Sequence, residues 1–187
     1  MSDGAVHAKH RLQAEYPANA KFCPLCGAEM APRIVLPDRI ERKVCTTCGF
    51  VHFPSPKLVA GCLVVDAGRV LLLRRGIEPS LGKWTFPGGF VDFGESAADA
   101  AIRETFEEVG MRATLALGSV LGVFSDAENP SVAVVVYLAA SLSEAAPSVS
   151  EEATEVRYFA PAEIPWDDLA FRTTIDALKA WLATVAG

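Results

Sequence analysis

The chain has 187 residues, 51% of them apolar and 21% charged, which suits one catalytic domain with a small appendage and excludes two full-sized domains or a largely disordered chain. Its longest apolar runs, 58–65 and 132–140, fall far short of the roughly 20 residues that cross a bilayer. Residues 1–20 carry His7, Lys9, His10, Arg11 and Glu15 where an export signal needs an apolar stretch, so a cytoplasmic protein with no membrane partner is expected. The net charge of −6 divides into +3 over residues 1–60 and −9 over residues 61–187; so acidic a main region repels phosphate polymers unless cations intervene, which disfavours a nucleic-acid partner.

In chain order, residues 1–20 lack periodicity and predict a mobile N-terminal arm. A compact cysteine-bearing unit is expected over 21–53, followed by a stiff connector in which Pro54 and Pro56 fix φ. The main domain is then expected over 57–187. Lys57–Val65 and Arg69–Arg75 predict a hairpin around Asp66-Ala67-Gly68. Ser96–Val109 predicts a helix opened by the capping-box arrangement Ser96-Ala97-Ala98-Asp99. Arg112–Phe124, Val132–Ala140 and Glu155–Phe159 predict further strands. Asp167–Val185, with Leu169, Ile175, Leu178, Trp181 and Leu182 in an amphipathic pattern, predicts a final helix. This order implies an α+β fold, a sheet covered by helices on two faces.

Cys23-Pro24-Leu25-Cys26-Gly27 and Cys45-Thr46-Thr47-Cys48-Gly49 are separated by eighteen residues, the four-thiolate spacing of a zinc ribbon. Each Cys-x-x-Cys turn aims two sulfurs at one point, and the glycine that follows can take the positive φ such a knuckle requires. Two disulfides or unrelated thiols are the alternative, which the spacing and a reducing compartment disfavour; four thiolates suit iron as well as zinc. A closed shell of four cysteines leaves no open position, so its expected role is to hold together a unit too small to bury an adequate core. The fifth cysteine, Cys62, lies in an apolar strand and reads as core.

The stretch from Gly89 to Met111 is the most informative. On a wheel of about 100° per residue, Ala98, Ile102, Thr105, Phe106 and Val109 form one stripe, while Glu104, Glu107 and Glu108 project from the opposite side. Three like charges at i, i+3 and i+4 destabilise a bare helix, so something must compensate, and solvent can do so.

Gly89-x5-Glu95-x7-Arg103-Glu104-Thr105-x-Glu107-Glu108-x-Gly110-Met111 resembles, spacing for spacing, the signature of the Nudix hydrolases, with Thr105 where that family has an apolar residue. Together with the cysteine unit the resemblance extends over about 21–185 and points to the zinc-ribbon branch, as do Trp84–Gly89 and Ile164–Phe171. It implies an α/β/α sandwich with a mixed β-sheet. It further implies Mg²⁺ or Mn²⁺ held by Glu104, Glu107 and Glu108, with Glu95 assisting, backbone oxygen at Gly88 and Gly89 approaching the metal, and Arg103 orienting the carboxylates. Hard cations take such oxygen ligands and share them with substrate phosphates. In the family the base that deprotonates water is either a glutamate of the signature or one from a later loop, which makes Glu151 and Glu152 candidates. Arg74 and Arg75, at a strand end, are candidates for substrate phosphate. Trp84 and Phe124 are candidates for stacking on a base, with the core as their alternative.

The activity implied is hydrolysis of the diphosphate bridge of a nucleoside diphosphate linked to another moiety. NADH pyrophosphatases share the ribbon and the signature, but their Ser-Gln-Pro-Trp-Pro-Phe-Pro-x-Ser array is absent after Met111, where 118–131 reads Gly-Ser-Val-Leu-Gly-Val-Phe-Ser-Asp-Ala-Glu-Asn-Pro-Ser. ADP-ribose or FAD, with release of AMP, is therefore ranked ahead of NADH. The competing reading is a non-catalytic nucleic-acid-binding or regulatory protein that uses Arg33, Arg39, Arg42 and Lys43 of the ribbon; the intact glutamates favour the enzyme. A homodimer is common among similar proteins.

Overall fold

Residues 20–142 and 146–185 are described by the structure, a computed structural model, with 116–119 as backbone alone. The expected arm at 1–20 lies outside these residues except for Ala20. The chain divides into two units, Met1–Pro56 and Lys57–Gly187. In the first, β1 (Met30–Val35), β2 (Ile40–Cys45) and β3 (Val51–His52) form a three-stranded antiparallel sheet. Its buried cluster is Cys23, Met30 and Cys45, with Ala28 and Phe50 partly buried against it. So few apolar contacts do not stabilise a fold by themselves, and the cysteines must supply the rest.

The second unit begins with β4 (Lys57–Asp66) and β5 (Arg69–Arg75), joined by Ala67 and Gly68 at φ 47° and 73°. Positive φ at both central residues of a two-residue turn matches the twist of a hairpin, and Gly68 accepts it without a Cβ clash. β6 (Trp84–Thr85) pairs with β5 and β7 (Gly88–Phe90) with β4. After helix α1 (Ala97–Val109), strands β8 (Ala113–Asp126), β9 (Asn129–Ser141) and β10 (Ala153–Phe159) complete a sheet of order β10-β5-β4-β9-β8, and helix α2 (Arg172–Val185) ends the fold. Strand β4 runs parallel to β9 while the other pairings are antiparallel, so the sheet is mixed.

Alternation along the strands sets the layers. Leu63, Leu72 and Val136 face Leu178 and Trp181 of α2. Cys62, Val64, Leu71 and Leu73 face Ala100, Ala101 and Val109 of α1. The expected α/β/α sandwich results.

Boundaries differ from expectation in three places. The final helix starts at Arg172 instead of Asp167: Trp166–Asp168 is a short 3-10 turn, Leu169 bridges Trp84, and the Ala170 N–H donates to the Trp84 carbonyl at 2.8 Å, which diverts this stretch from helical bonding. The β8–β9 hairpin continues past Phe124 because Asp126 pairs with Asn129 and its Oδ1 accepts the Glu128 N–H at 2.9 Å. Pro130 is tolerated because it falls at the start of a strand. Strand β10 begins at Ala153, two residues early, across an irregularity that precedes Glu155.

Candidate active site and cysteine centre

The four cysteines meet. Sγ of Cys23 lies 3.6 Å from that of Cys48, and Sγ of Cys26 lies 3.5 Å from that of Cys45. Among the described residues they are the one group of three or more His, Cys, Asp or Glu side chains whose ligating atoms all fall within 4.8 Å. Gly27 and Gly49 both take φ 75°, and amide N–H groups point at the sulfurs: Leu25 donates to Cys23, and Thr47 and Cys48 to Cys45, each at 3.4 Å. The Cys48 amide leads the causes that lower the Cys45 thiol to about 6. Edges of 3.5–3.6 Å are close to the roughly 3.8 Å of a tetrahedron with metal–sulfur bonds of about 2.3 Å.

The second group is built on α1. Ser96 caps it, with Oγ accepting the Asp99 N–H at 3.1 Å. The Asp99 carboxylate returns to the Ser96 hydroxyl at 2.7 Å, since aspartate is shorter than the glutamate of a full capping box. Gly110, at φ 67°, ends the helix by donating to the Phe106 carbonyl at 2.9 Å.

The buried stripe of α1 differs from the one expected. It is Ala100, Ala101, Thr105, Glu108 and Val109, while Phe106 is exposed. Thr105 replaces an apolar residue at no polar cost, because its hydroxyl donates to the Ala101 carbonyl at 2.7 Å. Glu108, expected on the opposite face, is 8% exposed. Its Oε2 accepts the Gly88 N–H at 2.8 Å, yet burial pushes its carboxyl up to about 8, with Glu104 and Glu152 acting in the same direction. Burial also raises the Glu104 carboxyl.

Arg103 gathers the remaining glutamates. Its Nε and Nη2 donate to the two oxygens of Glu95, both at 2.9 Å; Nη1 donates to Glu104 at 2.7 Å and Glu107 at 3.1 Å; Nη2 also donates to the Phe90 carbonyl at 3.2 Å. The Glu95 and Glu104 bonds raise the arginine pKa further, and the arginine lowers that of Glu95. Glu95 also accepts the Asp92 N–H at 3.2 Å, so it sits as a partner of Arg103 and of its own loop.

The two glycines of β7 explain why no other residue stands there. A Cβ on Gly89 would collide with the carboxylate of Glu104, and one on Gly88 would lie 2.7 Å from both the Ala60 carbonyl oxygen and Gly61 Cα. Glu152 is exposed in the turn before β10, its carbonyl accepting the Gly76 N–H at 2.7 Å. Its charge reaches Glu104 and Glu108.

The substrate candidates separate. The Arg74 Nε donates to the Gly82 carbonyl at 2.7 Å, and its guanidinium faces Glu155 at 3.7 Å and Asp168 at 3.8 Å. The Arg75 Nε donates to the Pro79 carbonyl at 2.7 Å; burial lowers the pKa of this arginine, against the charges of Glu108, Glu152 and Glu78. Trp84 takes the core position given as its alternative: it is 6% exposed and packs edge-on to Phe159 at 4.9 Å. Phe124 likewise packs against the core on the α2 side. Sequence reasoning missed Gly61, Gly76 and Phe90, which act through the backbone and leave no side-chain signal. It also missed Asp168 and Phe171, although both lie in the Ile164–Phe171 stretch it noted.

Comparison with known proteins gives the class. The NUDIX domain family model matches residues 55–182, and the Nudix N-terminal zinc-ribbon model matches residues 21–53. The chain belongs to the Nudix family and is a Nudix hydrolase with an N-terminal zinc ribbon. It is 36% identical over 94 residues to the NAD-capped RNA hydrolase NudC of Chromobacterium violaceum, covering 49% of this chain and 33% of that protein. The matched region is thus about a third of that curated relative's length. The crystal structure of a NUDIX hydrolase from Nitrosomonas europaea matches with a TM-score of 0.78 and 35% identity, over 88% of this chain and 91% of the other. An ADP-ribose pyrophosphatase from Streptococcus suis shares the fold, with a TM-score of 0.59 and 23% identity over 71% of this chain and 94% of the other.

Proposed function

We propose that this chain is a metal-dependent pyrophosphohydrolase that cleaves the diphosphate bridge of a nucleoside diphosphate joined to a second moiety, ADP-ribose or FAD first, releasing AMP. The observation that carries this reading is the Arg103 hub, which holds Glu95, Glu104 and Glu107 together beside a Gly89 that leaves room for the Glu104 carboxylate. An all-oxygen donor set, with two carboxyls raised by burial, fits Mg²⁺ or Mn²⁺. When bound, such an ion neutralises the glutamates, admits a diphosphate to an acidic site and makes water a better nucleophile.

The chain's own residues divide the work. Glu104, Glu107 and Glu108 would hold the ion, joined by backbone oxygen of Gly88 and Gly89, while Arg103 and Glu95 fix the orientation of the carboxylates. Glu152 accepts the proton of the attacking water, from a turn anchored at Gly76. Arg75 takes a substrate phosphate, whereas Arg74 is committed to Gly82, Glu155 and Asp168. In the ribbon, Cys23, Cys26, Cys45 and Cys48 hold zinc as thiolates, with a reducing cytoplasm as the expected setting.

A second reading is a nicotinamide dinucleotide or an RNA capped by one. Likeness to NudC favours it, and a capped RNA needs only its 5′ diphosphate in the acidic site; the absence of the NADH array from 118–131 stands against it. Measuring kcat/KM with Mg²⁺ or Mn²⁺ for ADP-ribose, FAD, NADH, NAD-capped RNA and nucleoside triphosphates tests the order, because that ratio reports discrimination in the transition state. The first reading expects ADP-ribose or FAD at the top. NADH or capped RNA above both supports the second, and triphosphates above all four contradict both.

A further inference from the structure

Successive residues of a strand face opposite sides of a sheet, so Arg74 and Arg75 are directed to different layers. Arg74 shares the parity of Leu72 and lies toward α2, its guanidinium 5.8 Å from the Trp84 ring. Arg75 shares the parity of Leu71 and Leu73, which pack toward α1, the helix carrying the glutamates. Its guanidinium lies 5.1 Å from the centre of the Phe171 ring, and among the described residues it forms no ion pair. Phe171 ends a strap, Trp166–Phe171, that is fixed to the opposite backbone. The Ala170 N–H donates to the Trp84 carbonyl at 2.8 Å, the Ser80 hydroxyl donates to the Ala170 carbonyl at 3.1 Å, and Lys83 Nζ meets Asp168 at 2.8 Å.

We propose that Phe171 is a positioning residue: its ring, held by this strap and assisted by the Pro79 carbonyl on Nε, aims the Arg75 guanidinium at the substrate's diphosphate. The inference rests on the pyrophosphohydrolase reading. A cation over an aromatic face is stabilised without losing its N–H donors, so Phe171 restrains Arg75 while leaving its Nη groups for phosphate.

The test is binding of the non-hydrolysable diphosphate α,β-methylene-ADP with Mg²⁺, measured calorimetrically on the full chain. Phe171→Ala and Phe171→Leu should each weaken binding about fivefold, Phe171→Tyr should bind within twofold of the parent, and Phe171→Ala should add nothing in an Arg75→Gln background. On a hydrolysed substrate, KM should rise with kcat little changed. Melting temperatures identify variants whose strap has unfolded, and the tyrosine rescue keeps the test valid if the alanine variant does so. Equal binding by the leucine variant and the parent, additive losses in the double variant, or no diphosphate binding by the parent overturns the proposal. A parent that binds the diphosphate with this pattern but cleaves no dinucleotide instead refutes the hydrolase reading and leaves the positioning role standing.

Discussion

Glu108 is acidic by chemistry and buried by position, and its behaviour with pH follows from that conflict. Its carboxyl stands at about 8 in the fold against an ordinary 4.5. Between those values the native state binds a proton that the unfolded chain has lost, so stability contributed by this group is full below about 4.5 and declines as pH rises toward 8. Without added Mg²⁺ or Mn²⁺, the melting temperature should therefore fall over that window. Glu108→Gln should flatten the fall and raise the melting temperature at pH 8 by about 2–8 °C, as 1–2 kcal/mol would in a chain of this size. The same variant should lose at least about 10²-fold in kcat, because the ion loses a charged ligand. A variant that melts like the parent at pH 8 and hydrolyses at the parental rate would remove Glu108 from the site. Arg103 makes five hydrogen bonds to four residues. Arg103→Lys should lower kcat/KM about 10–100-fold, since an ammonium cannot reproduce the bidentate grip on Glu95 together with the bonds to Glu104 and Glu107.

At the scale of elements, the two glycines of β7 should respond differently to the same substitution. Gly89→Ala meets the end of a flexible side chain, the Glu104 carboxylate, which can move. Its cost should fall on kcat, by about 10–100-fold, with the melting temperature nearly unchanged. Gly88→Ala meets backbone of Ala60 and Gly61, which cannot move without breaking the β4–β7 pairing, and should cost about 1–3 kcal/mol in denaturant unfolding. The helix α1 was legible to within one residue at its start and to the residue at its end, because Ser96 and Gly110 are local signals. Its rotation was not. Sequence placed Phe106 inside and Glu108 outside, whereas the structure does the reverse, because a wheel cannot see that the Gly88 amide offers Glu108 a buried partner. The start of α2 was missed for a similar reason: Trp84, about eighty residues away in sequence, claims the backbone of Leu169 and Ala170.

For the whole molecule, the helix-covered layers followed from the order of predicted elements and the likeness to the Nudix signature, while the strand order with its parallel β4–β9 pairing and the strap on Arg75 depend on contacts no local pattern encodes. The ribbon has a cluster of three buried residues, so its integrity should depend on metal. Protein purified without added zinc should carry about one zinc per chain, and Cys45→Ser should lose it and unfold the ribbon before the sheet of the second unit. Four alkylatable thiols in metal-free, folded protein would contradict this. The central claim is that a divalent ion and the α1 glutamates direct water to phosphorus in a diphosphate bridge. The most direct measurement is ³¹P NMR of ADP-ribose and FAD hydrolysed in ¹⁸O-water with Mg²⁺. The expected result is AMP with ribose 5-phosphate or FMN, the label on one phosphorus of each pair, and loss of the reaction on removal of the divalent ion. Cleavage elsewhere in the molecule, label on carbon, or undiminished hydrolysis without divalent ions would contradict it.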